Sequence, residues 1–233
     1  MTKLYVNVSG GADSTACAIL LKERGVEFEA VFADTGAELP ETYWTLGRLQ
    51  EWLGEKITVV TNRSFFAFLM QYRFFLPSVR RRWCTRSLKI HPLNLYQGED
   101  SPVVIGIRAD ETHRINNEKY PNQQHPLADA GMGKKDVLAL CKSRDLLNPC
   151  YEWRTHSSCF CCPFQRKADW MGLMKTHPDL YMLAEEWEKM SMKRSNGYSW
   201  RKGHTLEAMR KADAEQLKMF PECEDEPCVI CEK

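Results

Sequence analysis

Apolar residues fall along this chain in short runs separated by polar turns, and the runs alternate in character. LYVNV (4–8) predicts a buried strand and DSTACAILLKERG (13–25) a helix closed by Gly25. FEAVFADTG (28–36) predicts a second buried strand ending in an acidic turn. In LPETYWTLGRLQEWLG (39–54) apolar residues recur at helical spacing, with Pro40 suited to a first turn. KITVVTN (56–62) reads as a third strand and SPVVIGIRADET (101–112) as a fourth that runs into a polar loop. Strands alternating with helices predict an α/β fold, a doubly wound parallel sheet of Rossmann type.

The later chain differs. KKDVLALCKSRDL (134–146) reads as a helix, and a cysteine-rich segment (150–162) follows. From Asp169 onward the pattern is helical and rich in Trp, Met and Lys, with Trp170, Trp187 and Trp200 expected to pack. The tail PECEDEPCVICEK (221–233) is polar and irregular. The expected organisation is one α/β domain over 1–165 with a helical, cysteine-rich extension over 166–233.

Composition narrows the picture. The chain has 233 residues, 43% hydrophobic and 27% charged, as a globular protein does. A formal net charge of +1 argues against a general nucleic-acid-coating protein but leaves room for a local basic face. Ten cysteines without an export signal point to a reducing compartment, where thiols serve metals or redox chemistry. No apolar run is long enough to span a bilayer, so the expected location is the cytoplasm with no membrane partner.

The richest local signal is VNVSGGADSTACAILL (6–21), a strand, a small-residue turn and a helix. Backbone N–H groups and the helix dipole converge there, which makes an anion site. Gly10 and Gly11 permit close approach, and Ser9, Ser14 and Thr15 add hydroxyls. An ordinary turn with Asp13 as the capping residue is the competing reading. Neither G-x-x-x-x-G-K-[ST] nor G-x-G-x-x-G is present here.

SGGADS (9–14) resembles the SGGxDS loop of the PP-loop ATP pyrophosphatases. FADTGAELPET (32–42), RWCTRSLKIHPL (82–93), GIRADETHR (106–114) and SCFCCPF (158–164) are similar, in order, to the phosphoadenosine phosphosulfate (PAPS) reductase branch. The resemblance implies an adenine nucleotide alpha hydrolase-like fold that binds ATP and Mg²⁺ and cleaves between the α- and β-phosphates. It implies nucleotide contacts from Ser9, Gly10, Gly11, Asp13, Ser14, Thr15, Asp34, Arg108 and Glu111. Asp13 and Arg108 would take part in the chemistry, and Glu111 would orient Arg108.

Cys84, Cys150, Cys159 and Cys162 resemble the ligands of iron–sulfur members of this branch, which include the DNA phosphorothioation enzyme. They would hold a [4Fe–4S] cluster; zinc accepts the same ligands, and several buried free thiols are the plain alternative. Cys161 is the spare, either a sulfur-carrying catalytic thiol or a mere neighbour. Cys17 and Cys141 are expected in the core. Cys223, Cys228 and Cys231 have metal-ligand spacing, and a second metal site, a redox arm and an inert tail stay open. PAPS reductases carry a C-terminal ECG-[IL]-H, whereas this chain has Glu222-Cys223 followed by Glu224 and Asp225.

YRFFLPSVRRRWCTRSLK (72–89) interleaves rings and cations, so Arg80, Arg81, Arg82 and Arg86 are candidate nucleic-acid contacts. The alternative makes Phe74 and Phe75 core and the arginines a solvated face. The functional expectation is an ATP-cleaving, adenylating enzyme that serves iron–sulfur-assisted sulfur transfer to a nucleic acid, with a sulfur donor or cysteine desulfurase as partner. The rivals are a sulfonucleotide (PAPS or APS) reductase and a non-catalytic nucleotide-binding iron–sulfur protein.

Overall fold

A computed structural model of the chain describes residues 3–115, 122–194, 198–201 and 203–219. Its first half runs β1 (Tyr5–Asn7), α1 (Ala12–Glu23), β2 (Glu29–Ala33), α2 (Pro40–Leu53), β3 (Thr58–Val60) and α3 (Phe65–Gln71). The short α4 (Trp83–Thr85) passes through a π-helical stretch, Arg86–Ile90, into α5 (His91–Gln97). Then come β4 (Val103–Val104), α6 (Thr112–Ile115), β5 (Gln123–Gln124), α7 (Pro126–Asp129) and α8 (Lys134–Ser143). A 3-10 turn at Pro149–Glu152 precedes α9 (Lys167–Thr176), α10 (Pro178–Arg194) and α11 (Leu206–Met219).

The strands form one parallel sheet in the order β3-β2-β1-β4-β5, the doubly wound arrangement that the alternating pattern predicts. Val6 pairs with Ala30 on one side and with Val104 on the other. Chain progression reverses between β1 and β4, and such switch points leave a crevice at the carboxyl ends of the strands. α1 is buried almost all round because Ala12, Ala16, Cys17 and Ala18 are small enough to lie close to the sheet and α8. α2 begins at Pro40, as its sequence predicts, and stops at Gly54 in the left-handed region (φ 69°).

Two apolar clusters hold the molecule. One joins Val6, Ile19, Phe32, Leu49, Val104 and Val137 around the sheet. The other gathers Phe65, Leu88, Phe160, Trp170, Trp187 and Trp200, so residues before and after position 165 share it. The ring of Phe65 stacks on that of Trp187 with centroids 5.6 Å apart. Buried Glu188 secures the C-terminal helices by accepting the Trp200 and Leu206 amides at 2.9 and 2.7 Å. Among the described residues, no helix is long and apolar enough to cross a membrane.

The strand expected over 101–112 is only two residues long, and from Arg108 onward the chain turns polar and forms ion pairs with Asp13 and Asp110. β5 carries two glutamines and no apolar signal, so nothing in its pattern announced it.

Candidate nucleotide site and cysteine turn

The loop after β1 sits at the switch point. Gly10 adopts φ +69°, and a Cβ there would meet Thr42 Cγ2 at 2.9 Å, so the tight turn requires glycine. Inside the loop, the Ser9 amide donates to Ser14 Oγ at 3.0 Å, and Ser14 Oγ donates to the Gly11 carbonyl at 3.1 Å. No side chain within the loop caps α1. The N–H groups of a helix's first turn have no partner within the helix, which is what an anion site draws on.

The loop after β4 closes the other side. Gly106 comes so near that a Cβ would lie 2.8 Å from the Asp13 carbonyl carbon. This approach lets Arg108 Nη1 reach Asp13 Oδ2 at 2.8 Å while its Nε donates to Asp110 Oδ1 at 2.8 Å. Glu111 Oε2 accepts the Arg108 amide at 3.3 Å and lies 3.7 Å from Nη1. Burial pushes the Asp13 carboxyl above its ordinary value, outweighing the opposing pull of Arg108. Asp13 is still one-third exposed, so it can meet a ligand.

Asp34 stands at the end of β2, where its Oδ1 accepts the Gly36 amide and the Tyr43 hydroxyl, each at 2.8 Å. The structure therefore groups Ser9, Gly10, Gly11, Asp13, Ser14, Arg108 and Glu111 at the switch point, with Asp34 beside it on the β2 edge. Thr15 departs from expectation. It is fully buried with its hydroxyl unpartnered among the described residues, because its helix position turns it inward beneath the loop.

Residues that the sequence reading left out complete the loop. Asn148 Nδ2 donates to the Gly10 carbonyl at 2.8 Å, and the Ala12 amide donates to the Tyr151 hydroxyl at 3.2 Å. Ser157 Oγ packs against Gly11. Tyr151 and Ser157 lie in the cysteine-rich segment, and Asn148 lies just before it. A glycine within the apolar stretch VVIGI, Gly106, is a local sign of close backbone approach.

The cysteine turn docks on the loop after β2, where the Phe160 amide donates to the Ala37 carbonyl at 3.0 Å. Glu38 Oε1 is the hub: Thr35 Oγ1 donates to it at 2.8 Å and the Cys159 thiol at 3.3 Å, and Lys89 Nζ lies 3.4 Å away. Burial, then Glu38, raises the Cys159 thiol, while Lys89 opposes the rise. Burial and then Cys162 raise the Cys84 thiol, so Cys84, Cys159 and Cys162 share one neighbourhood.

Cys150 stands apart. It is fully buried, its thiol is pushed up to about 12 by burial, and its charged neighbours are Arg154 and Glu41 rather than cysteines. Cys161 is also fully buried and its thiol is raised well above the ordinary range, first by burial. After burial, its neighbours Cys159, Cys162 and Cys84 add to the rise, so Cys161 lies in the same neighbourhood as those three. Cys17 and Cys141 are core residues, as expected. No group of three His, Cys, Asp or Glu among the described residues is set to hold a metal ion. Cys84, Cys159 and Cys162 are soft donors of the kind that iron–sulfur and zinc chemistry use, and Cys150 is not among their charged neighbours. Cys223, Cys228 and Cys231 lie outside the described residues.

The arginine-rich segment is partly core and partly surface. Phe74 is buried, whereas Arg80, Arg81, Arg82 and Arg86 are exposed. Arg81 lies over the Phe75 ring at 5.5 Å and Arg82 over the Phe164 ring at 5.2 Å.

A parallel sheet with a glycine turn and an acid–arginine pair at its switch point defines a nucleotide-binding α/β protein of the PP-loop class. The chain belongs to the phosphoadenosine phosphosulfate reductase domain family, which matches residues 3–155. It is 28% identical over 201 residues to the uncharacterized protein MJ0066 of Methanocaldococcus jannaschii, covering 80% of this chain and 41% of that one. It is 23% identical over 189 residues to MJ0973 of the same organism, covering 76% and 46%. The chain thus spans less than half the length of these curated relatives. In fold it is similar to the phosphate complex of PAPS reductase from Candida auris, with a TM-score of 0.54 and 14% identity over 68% of this chain and 82% of that one.

Proposed function

We propose that the protein is an ATP pyrophosphatase-type enzyme that adenylates an acceptor. The observation that carries this reading is the SGGADS loop at the β1/β4 switch point, faced by Arg108 paired to Asp13 at 2.8 Å. The loop amides take the β- and γ-phosphates, and Arg108 neutralises charge as it builds on the leaving group. An acceptor oxygen attacks the α-phosphorus; its bond to phosphorus forms while the α–β bridging P–O bond breaks, and pyrophosphate leaves. A sulfur nucleophile from a donor such as a cysteine desulfurase then displaces AMP from the activated acceptor. Mg²⁺ suits the oxygen donor Asp13, and when bound it supplies further charge neutralisation.

The acceptor in this reading is a nucleic acid. What supports it is the exposed run Arg80, Arg81 and Arg82, backed by aromatic rings and leading directly into Trp83 and Cys84. Cys84, Cys159 and Cys162 are the residues assigned to an iron–sulfur centre, whose loaded form supplies the sulfur or electron chemistry. Lys89 offsets the thiolate charge there.

The test is pyrophosphate release from ATP and Mg²⁺ by anaerobically purified protein, with and without DNA or RNA oligonucleotides. Release that rises only with one polymer supports the reading and names the acceptor. Absence of release with either polymer contradicts it. The PAPS reductase domain match favours a second reading, sulfonucleotide reduction. PAPS binding with a thiol-dependent yield of sulfite, and no ATP cleavage, would establish that reading instead.

A further inference from the structure

The phenol of Tyr151 occupies a place that the proposed reaction would need. Its oxygen accepts the Ala12 N–H at 3.2 Å, and Ala12 is the first residue of α1, directly behind the glycine turn. That amide belongs to the set a bound phosphate would draw on. Tyr151 is carried to it by the 3-10 turn Pro149–Glu152, which Asn148 pins twice: its Oδ1 accepts the Cys150 amide at 2.9 Å and its Nδ2 donates to the Gly10 carbonyl at 2.8 Å. The phenol interacts with the Ser157 hydroxyl, which itself packs on Gly11. Two hydroxyls from one distant segment therefore sit on the rim of the phosphate loop, 139 residues away in sequence for the Ala12–Tyr151 pair.

A purely structural account would treat Tyr151 as the missing cap of α1, since the loop's own side chains supply none. That account leaves the phenolic proton without a purpose. A phenol whose oxygen accepts the Ala12 N–H still carries a hydrogen of its own to donate.

Resting on the nucleotide reading above, we propose that Tyr151 is an exchangeable cap of the phosphate loop. Without nucleotide, its oxygen accepts the Ala12 N–H. When pyrophosphate or the β- and γ-phosphates of ATP arrive, an anionic oxygen takes that N–H, and the Tyr151 hydroxyl turns to donate to the same anion. Tyr151 is then a phosphate-positioning residue, with Ser157 as its hydrogen-bonded support. The exchange keeps α1 capped in both states.

The probe is inorganic pyrophosphate with Mg²⁺, added to full-length protein labelled with 3-fluorotyrosine. The Tyr151 resonance is assigned by its loss in Tyr151→Phe. Pyrophosphate is expected to shift that resonance, and Tyr151→Phe is expected to weaken pyrophosphate binding by about tenfold, the worth of one hydrogen bond to a charged acceptor. If wild type binds pyrophosphate while the resonance stays still and Tyr151→Phe binds equally well, Tyr151 is only a cap and the proposal falls alone. If wild type binds neither pyrophosphate nor ATP, the nucleotide reading and this proposal fall together. Because the labelled wild type reports directly, a poorly folded Tyr151→Phe would not shelter the proposal: a stationary set of tyrosine resonances in pyrophosphate-bound protein overturns it.

Discussion

The phosphate loop and the cysteine turn lie at the same sheet edge but are built by opposite means. The loop takes its shape from six consecutive residues, Ser9 to Ser14, between a strand and a helix that each have their own reasons to form. The cysteine turn brings together Thr35 and Glu38 from the β2 loop, Lys89 and Cys84 from the helices before β4, and Cys159 and Cys162 from far downstream. The first presents backbone donors to an anion and tolerates little change in the backbone. The second presents side chains that converge only after the second core has formed, so its geometry is hostage to packing.

That contrast orders the expected effects of substitution. The largest falls on Arg108. Removing the cation that faces the leaving group, as in Arg108→Ala, is expected to slow pyrophosphate release by about 100- to 1000-fold. Arg108→Lys should recover little of this, because one guanidinium serves Asp13 and Asp110 together. Steady-state kinetics on both variants decides it.

Next come the thiols. Cys84→Ser and Cys159→Ser are each expected to strip most of the iron from anaerobically isolated protein. Cys150→Ala should retain it and instead lower unfolding stability by about 1 kcal/mol through a small cavity. Metal analysis beside denaturant melts separates the two. Iron loss in Cys150→Ala would restore Cys150 to the ligand set.

Smaller is Gly106→Ala, whose methyl would press on the Asp13 backbone at 2.8 Å. A loss of roughly 1–3 kcal/mol is expected, with weaker nucleotide binding, and calorimetry measures both.

The smallest effect tests the frame that positions the cysteine turn. Arg210, first, and Lys189 hold the buried Glu185 below its ordinary value of 4.5. A carboxylate depressed in the fold adds stability above the unfolded value, and that stability is lost as pH falls through the folded value. Glu185→Gln is therefore expected to remove about 1 kcal/mol at neutral pH and to flatten acid unfolding below pH 4.5. Equal acid sensitivity in the variant would contradict the assignment.

What could be read from sequence follows the same division. The buried strands, α1, α2 and the loop were legible because each is a local pattern, and the family resemblance named Arg108 from a second local block. Tyr151, Asn148 and Ser157 were not, since nothing near them in sequence announces a partner in the loop near the start of the chain. Thr15 was misread because a hydroxyl beside a glycine turn looks available until the helix turns it inward. For the cysteines, spacing shows which thiols are close in the chain, whereas their burial, complete at Cys150 and Cys161, emerges only from the packing. β5 escaped notice because two glutamines at a sheet edge pair through backbone alone.

The central claim is that this loop directs attack to the α-phosphorus of ATP. The most direct measurement is ³¹P NMR of the products formed from ATP and Mg²⁺ in the presence of the acceptor polymer. AMP and pyrophosphate, lost together in Arg108→Ala, are the predicted result. ADP and phosphate, or intact ATP with either polymer, would contradict the account.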